Sequence, residues 1–229
     1  MKINSNKQTE NRRIAFYGGS FDPPHDGHLT IARKMIELFA LDEFVFIPAF
    51  HAPHKKDRKP TSAFHRFAML SLATNDKPKM RVSKMELDAP EKPYTFETQT
   101  KLKRKLKDTE IFFVIGADSW QEIDTWREWE RVLMLTHIIV VTRPGSEIGI
   151  SHVTEKIRKR IIDIRKDKGR KPDNQRSNDK NRRIFITDAV NLDVSSTDIR
   201  REIYAGKNNW DKLVPRAVAK HIEKYELYV

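Results

Sequence analysis

Apolar and polar residues follow two different patterns along this chain. Four unbroken apolar runs are typical of buried strands, and they lie at residues 14–17, 44–47, 111–115 and 138–141. Between them apolar residues recur at helical spacing, in stretches at residues 29–39, 61–73, 95–106 and 126–135. Strands that alternate with amphipathic helices predict a mostly parallel sheet covered on both faces, which is a doubly wound, Rossmann-like α/β fold.

The pattern becomes less regular towards the carboxyl terminus. A short strand is predicted at 81–85 and another at 184–186. Ser196 is the expected N-cap of a helix, and Pro215 is the expected opening of a C-terminal helical segment. On the helix predicted at 61–73, four apolar residues share one side: Phe64, Phe67, Ala68 and Leu72.

The domain organisation follows from where polar stretches interrupt this pattern. Residues 1–12 are polar and have no apolar signal-peptide core, so we expect a tail. Residues 13–229 then form a single domain. Within it we expect a basic helix-loop insertion at 151–181, with the helix at 151–168 and a loop without apolar residues at 169–181.

Composition narrows the function classes. The chain has 229 residues, a net charge of +12 and no cysteine. Disulfides, thiolate metal sites and a catalytic thiol are therefore excluded, and a reducing cytoplasm is the expected location. No apolar run approaches the roughly 18 residues needed to cross a bilayer, so no membrane partner is expected. Much of the charge lies at 151–183, which favours anionic partners there and says little about the rest.

A glycine-rich turn follows the first predicted strand. Residues 18–28 read Gly-Gly-Ser-Phe-Asp-Pro-Pro-His-Asp-Gly-His. Gly18 and Gly19 have no Cβ to keep an anion from the backbone, and the helix that begins nearby directs unpaired N–H groups at the same place. His25 and His28 add directional donors. This order predicts a site for a nucleoside triphosphate.

A second phosphate-binding segment is predicted far along the chain. Ser195, Ser196 and Thr197 lie at the mouth of a predicted helix, and Arg200 follows one turn later. Hydroxyls, helix N–H groups and a bidentate guanidinium can together hold terminal phosphates. An ordinary N-cap with a surface arginine is the alternative.

The sequence of residues 25–28 resembles the His-x-Gly-His signature of the nucleotidyltransferase superfamily. Further motifs occur in the order seen in bacterial nicotinate-nucleotide adenylyltransferases: Pro53-His54-Lys55, Tyr94-Thr95-Phe96-Glu97-Thr98, Gly116-Ala117-Asp118-Ser119 and Ser195-Ser196-Thr197-Asp198-Ile199-Arg200. The resemblance covers about residues 13–228. Two departures are the long basic stretch at 151–181 and Asp193-Val194 in place of Glu-Ile.

The resemblance implies a reaction and a location in metabolism. The adenylyl group of ATP passes to the 5′-phosphate of nicotinate mononucleotide, giving nicotinate adenine dinucleotide and pyrophosphate in NAD biosynthesis. The sequence has neither a cysteine nor a Ser-His-Asp order that would suggest a covalent intermediate. Direct in-line attack is therefore favoured. Mg²⁺ is the expected cofactor, held mainly by the ATP phosphates, so no dedicated protein metal site is expected.

Residue roles follow from the same resemblance. The catalytic residues are expected to be His25, His28 and Arg200. ATP is expected to contact Gly18, Gly19, Ser20, Phe21, Gly27, Ser195, Ser196, Thr197 and Arg200. Nicotinate mononucleotide is expected to contact Lys55, Tyr94, Thr95, Asp118 and Trp126.

Each of these roles has a simpler alternative. His25 and His28 could only cap a helix or bond to each other. Trp126, three residues before Trp129, could belong to the core, and Asp118 could cap a helix. Tyr94 and Thr95 could form no more than a helix entrance.

Three other functions stay open. The same transfer could use nicotinamide mononucleotide or phosphopantetheine as acceptor. RNA binding by residues 151–183 is a remote alternative, because that segment has no aromatic residue for base stacking, and a nucleic-acid partner is not expected. A non-catalytic nucleotide-binding module is the third. A homo-oligomer is compatible with all of them.

Overall fold

The computed structural model describes residues 11–50, 61–89, 91, 93–142, 147–165, 182–190 and 194–229. Lys55 lies outside these ranges, and so do Asp193 and the whole of the predicted loop at 169–181. Seven strands are present in the described ranges: β1 (Arg12–Gly19), β2 (Glu43–Pro48), β3 (Met80–Val82), β4 (Thr109–Gly116), β5 (His137–Val141), β6 (Ile161–Asp163) and β7 (Ile184–Thr187).

The strands form one parallel sheet in the order β3-β2-β1-β4-β5-β7-β6. The doubly wound α/β fold expected from the sequence is thereby confirmed. The chain first adds strands on one side of β1 and then returns to add β4 on its other side. The resulting crevice at the carboxyl ends of β1 and β4 is where ligands bind in open sheets of this kind.

The described ranges contain eight α-helices, of which the last two follow β7: α1 (Asp26–Leu38), α2 (Ala63–Thr74), α3 (Thr95–Lys105), α4 (Ala117–Gln121), α5 (Trp129–Leu135), α6 (Glu155–Arg158), α7 (Ser196–Tyr204) and α8 (Arg216–Lys224). Short 3-10 helices occur at Ile123–Thr125 and Trp210–Leu213. Within these ranges no helix is both long and apolar enough to cross a bilayer.

Hydrophobic residues are buried on both faces of the sheet. Because side chains alternate along a strand, Ile14 and Phe16 of β1 pack in one cluster with Trp120, whereas Ala15 packs in another with Phe39. A third cluster joins α2, α7 and α8, so the C-terminal helical segment is anchored to the domain.

The basic helix expected at 151–168 is wrong. Of the described residues in this stretch, 151–165, only those of α6 are helical, and the chain then forms β6, which pairs with β7 at the edge of the sheet. Consecutive β-branched residues, Ile161 and Ile162, favour a strand at this position. Ile157 is fully buried in the core, so the described part of this segment is integral to the sheet.

Two further helical expectations are corrected. The helix expected from residue 126 begins only at Trp129, because Glu128 before it adopts a left-handed conformation with φ of 57°. On α2 the predicted apolar side is not the buried one, since Phe64 is 83% exposed. The buried residues of that helix are Arg66, Met69, Leu70, Ala73 and Thr74.

Candidate active site

The two predicted phosphate-binding segments meet at the carboxyl edge of the sheet. The Ser196 hydroxyl donates to the carbonyl of Pro23 at 2.9 Å, and an Arg200 guanidinium nitrogen donates to the carbonyl of Asp22 at 2.6 Å. The amino terminus of α7 is thus held against the turn that leads into α1. Two helix amino termini, both favourable for anions, lie beside the end of β1.

The glycine turn is shaped by the ring of Phe21. A Cβ on Gly19 would lie 2.9 Å from the tip of that ring, closer than side chains tolerate, whereas a Cβ on Gly18 would make an ordinary contact. Phe21 has φ of 50° and is 2% exposed, and its ring contacts Tyr17 and His28 edge-on. Phe21 therefore packs against the turn and the His28 ring, and its expected contact with ATP stays a prediction.

His25 and His28 form a stacked pair at the start of α1. Their ring centroids are 3.7 Å apart at an interplanar angle of 29°. The backbone N–H of His25 donates to His28 Nδ1 at 3.2 Å, so the ring proton of neutral His28 lies on Nε2. A Cβ on Gly27 would lie 2.9 Å from His25 Nδ1. The glycine between the histidines therefore makes room for the stack.

Both imidazoles are neutral at pH 7. Burial lowers the pKa of His25 to about 4. Burial, and then the neighbouring His25, lowers the pKa of His28 well below its ordinary value. Each ring can donate one hydrogen bond without carrying a charge. The simpler alternative is partly observed, since the two rings contact each other and His25 occupies the N-cap position.

The hydroxyl groups at the start of α7 have different tasks. Ser195, and not Ser196 as expected, is the N-cap: its oxygen accepts from the Asp198 N–H and its proton goes to the Asp198 carboxylate. The Ser196 hydroxyl is engaged with Pro23, as above. Thr197 is exposed and accepts from Arg200 at 3.3 Å. Of the three hydroxyls, Thr197 is the one most open to a ligand.

Sequence reasoning missed Arg66, a buried cation beneath the site. It is 1% exposed and donates to the carbonyls of Ser20 and Ala49 at 2.7 Å each, and of Thr61 at 2.9 Å. One guanidinium thereby joins the ends of β1 and β2 to the start of α2. Burial lowers the pKa of Arg66. Its only signal in the sequence is a charged residue inside an amphipathic helix, which helical periodicity assigns to the surface.

Asp22 and Tyr228 were also missed. The Tyr228 hydroxyl donates to the Asp22 carboxylate at 2.8 Å, and the backbone N–H of Thr61 donates to its other oxygen at 3.3 Å. Burial, followed by the charge of Asp22, raises the pKa of Tyr228. The end of the chain is thus joined to the turn before α1. No local pattern connects residues so far apart.

Of the residues predicted to contact nicotinate mononucleotide, Asp118 follows the carboxyl end of β4, and Tyr94 and Thr95 lie at the start of α3. Asp118 is exposed in the first turn of α4. The pKa of Tyr17 is raised to about 12, mainly by burial of that side chain and secondly by the charge of Asp118. Thr95 begins α3, and the Arg127 guanidinium lies 4.7 Å from the ring of the preceding Tyr94. Tyr94 occupies the N-cap position of that helix.

Trp126 packs against the core together with Trp129, as the simpler alternative held. Its indole N–H is buried and has no hydrogen-bond partner among the described residues, which leaves a donor available. Within the same ranges, no three His, Asp or Glu side chains are grouped so that they could hold a metal ion.

Known proteins resemble this chain in sequence and in fold. The cytidylyltransferase-like family matches residues 16–202. The chain is similar to the nicotinate-nucleotide adenylyltransferase of Bacillus subtilis, with 31% identity over 95% of this chain and 98% of that protein. It is 36% identical to the "Probable nicotinate-nucleotide adenylyltransferase" of Desulfatibacillum aliphaticivorans, over 95% of this chain and all of that protein.

A solved structure with the same fold is the nicotinic acid mononucleotide adenylyltransferase of Plasmodium falciparum, complexed with NaAD. It superposes with a TM-score of 0.69 at 20% identity, over 95% of this chain and 97% of that one. At this identity the likeness is one of fold.

Replacing Gly27 by alanine should separate the histidine pair. Alanine normally stabilises a helix by about 1 kcal/mol relative to glycine, but here the new Cβ meets the His25 ring. We expect the proton resonances of both rings to lose their mutual ring-current shifts in NMR spectra. Gly149→Ala, whose Cβ would meet nothing within 4 Å, is the matched control. Unchanged histidine resonances in the Gly27 variant would contradict the stacked arrangement.

The titration of His25 should be displaced towards acid. Its folded pKa of about 4 lies below the unfolded value of roughly 6.5, so the unfolded chain binds more protons between these limits. This group therefore contributes stability that is complete above pH 6.5 and is lost as the pH falls towards 4. An NMR titration of the assigned ring proton measures the midpoint, and one near 6.5 would refute the burial argument.

Replacing Arg66 by methionine should destabilise the domain by about 3 kcal/mol, because several buried carbonyls lose their donors. Urea unfolding measures the change. Arg104→Met on α3 removes the same charge at an exposed position and should leave the unfolding free energy near that of the parent. Equal effects of the two substitutions would show that the carbonyl contacts contribute nothing.

Proposed function

The chain belongs to the nicotinate-nucleotide adenylyltransferase family, and we propose that it transfers the adenylyl group of ATP to the 5′-phosphate of nicotinate mononucleotide. The products are nicotinate adenine dinucleotide and pyrophosphate, formed in NAD biosynthesis. The observation that carries the proposal is the convergence of two helix amino termini and Arg200 on the turn that holds His25 and His28.

The reaction needs no enzyme nucleophile. The 5′-phosphate of the mononucleotide is already an anion at neutral pH. One of its oxygens attacks the α-phosphorus of ATP, the bond from that phosphorus to the α–β bridging oxygen breaks, and the electron pair leaves with pyrophosphate. Such a displacement asks mainly for alignment and for stabilisation of the developing charge.

We assign this stabilisation to neutral donors at the start of α1. With Nδ1 accepting from the backbone, His28 presents Nε2–H to a phosphate oxygen, and its lowered pKa keeps it in this form. His25 is the second donor. Because neither ring is charged, the pair should favour the transition state through directed hydrogen bonds and does not need to surrender a proton.

The triphosphate is proposed to extend from Gly18, Gly19 and Ser20 towards α7. Thr197 and Arg200 hold the terminal phosphates, with the guanidinium oriented by the Asp22 carbonyl. Since the hydroxyls of Ser195 and Ser196 already have protein partners, backbone N–H groups at the start of α7 are their proposed contribution.

The acceptor is proposed to lie between α3 and Trp126. The free N–H groups at the start of α3, near Thr95, suit the nicotinate carboxylate, and the exposed Asp118 suits the ribose hydroxyls. Trp126 would stack on the pyridine ring. Lys55, outside the described residues, is proposed to reach the acceptor phosphate.

We propose that Mg²⁺ is carried by the ATP phosphates and water, since this ion keeps several waters and is commonly bound through substrate phosphates. When bound, it neutralises part of the charge on the leaving pyrophosphate. The cytoplasmic location, the homo-oligomer and the lack of a nucleic-acid partner stay predictions.

The test is to mix the protein with ATP, Mg²⁺ and nicotinate mononucleotide and to measure pyrophosphate and dinucleotide. His28→Ala should lower kcat about 100-fold or more, with a much smaller change in the KM for ATP, because the lost donor acts chiefly on developing charge. His221→Asn on α8 is the control and should retain the parent rate. An unchanged kcat in the His28 variant would remove that residue from the mechanism.

The choice of acceptor is tested in the same assay. Helix N–H groups favour an anion over a neutral amide, so turnover on nicotinate mononucleotide should exceed turnover on nicotinamide mononucleotide. Equal rates on both would refute the role given to α3.

A further inference from the structure

A small pocket opens at the amino edge of the sheet, at the opposite end of the strands from the candidate active site. It lies between the end of α3, the start of β4, the chain just before β5 and the residues before β7, and has a volume of about 40 Å³. Its polar lining includes Lys103, Lys107, Thr136 and Arg182. Roughly 10–15 Å³ of such volume holds one water molecule, so the pocket suits a few waters or one small ion.

The cations at this pocket lack acidic partners. Within the described ranges no carboxylate is within ion-pair distance of Lys103, Lys107 or Arg182. The nearby Glu110 is engaged by Arg13 at 2.9 Å. The positive charge at the pocket mouth is therefore not neutralised by the described protein.

The cations also lie close enough to repel each other. Burial, and then the charge of Arg182, lowers the pKa of Lys103 and of Arg160. The same field acts on His137, whose pKa is lowered to about 3 by burial and then by four surrounding arginines. Clustered like charges destabilise a fold unless an anion lies among them.

An independent observation comes from Thr136. This residue lines the pocket and is 1% exposed, and its hydroxyl has no hydrogen-bond partner among the described residues. A buried hydroxyl without a partner costs roughly 1–3 kcal/mol. A bound group with acceptor oxygens would remove this cost.

The favourable interaction of cations with the carboxyl end of the α3 dipole does not explain the whole group of polar residues at this pocket. Cations in the last turn of α3 are favourable there, which accounts for Lys103 together with its neighbours in that turn. It accounts neither for Arg182, which comes from another part of the chain, nor for the hydroxyl of Thr136.

We propose that this pocket binds one tetrahedral oxyanion, the phosphoryl group of inorganic phosphate or of a small phosphate monoester. Lys103, Lys107 and Arg182 neutralise its charge, and the Thr136 hydroxyl donates to one of its oxygens. The site is separate from the nucleotide site and does not depend on the proposed reaction. It lies at the far ends of α3 and β4, whose other ends lead to Thr95 and Asp118.

The test is calorimetric titration with sodium phosphate against sodium chloride at equal ionic strength, with ATP present to occupy the nucleotide site. We expect saturable binding to the parent protein. Lys103→Gln and Arg182→Gln should each weaken it tenfold or more. Arg104→Gln, which removes the same charge from the same helix outside the pocket, should change it less than twofold.

Thr136→Val separates a ligand role from a structural one. Because the hydroxyl has no partner among the described residues, valine should leave the melting midpoint in chloride unchanged or raise it. The same substitution should remove most of the increase in melting midpoint that phosphate produces in the parent protein. A titration with phenyl phosphate distinguishes inorganic phosphate from phosphate monoesters as the ligand. Binding equal to that of phosphate identifies monoesters as ligands, and binding of phosphate alone identifies the free ion. No saturable binding, or equal weakening by Arg104→Gln and Lys103→Gln, would overturn the proposal whether or not the chain transfers adenylyl groups.

Discussion

The structure depends on how the buried turn between β1 and α1 satisfies its carbonyl groups. Pro23 and Pro24 have no N–H to donate, and a buried backbone oxygen without a donor is costly. Side chains from elsewhere supply the donors: Arg66 for Ser20, and Arg200 for Asp22. A turn that cannot pair with a strand is thereby held in one conformation. The positions of α2 and α7 follow from the same bonds.

This constraint determines the character of the site. Arg200 and Ser196, which donate to carbonyls of the turn, also hold α7 beside α1. Assembly of the proposed phosphate site and satisfaction of the turn are therefore the same event. Arg200 takes part in both, since its guanidinium donates to the Asp22 carbonyl and to the Thr197 hydroxyl at the start of α7. The stacked, neutral histidines add donors at a place where burial makes charge unfavourable. The anion binding that we propose for this site therefore depends mainly on dipoles.

The sequence predicts those parts of this arrangement that are encoded locally. The central strands are apolar on both faces, so their positions come within two residues of those observed. The buried side of α2 is not predicted correctly. Periodicity places a cation such as Arg66 in solvent, although backbone carbonyls stabilise it in the interior. Gly19 and Gly27 are recognisable as special, yet the collisions that require them, with Phe21 and His25, depend on three-dimensional packing. The contact of Tyr228 with Asp22 has no local signal at all.

A parallel sheet also explains why anions would be bound by different means at its two ends. Every helix that follows a strand begins at the carboxyl edge, so unpaired N–H groups converge there and one arginine suffices. At the amino edge the helices end, and their last carbonyls make the surroundings negative. An anion at that edge needs formal positive charge, which is what Lys103 and Arg182 provide. Lys103 and Arg182 thus lie at the edge of the sheet where helix dipoles cannot attract an anion.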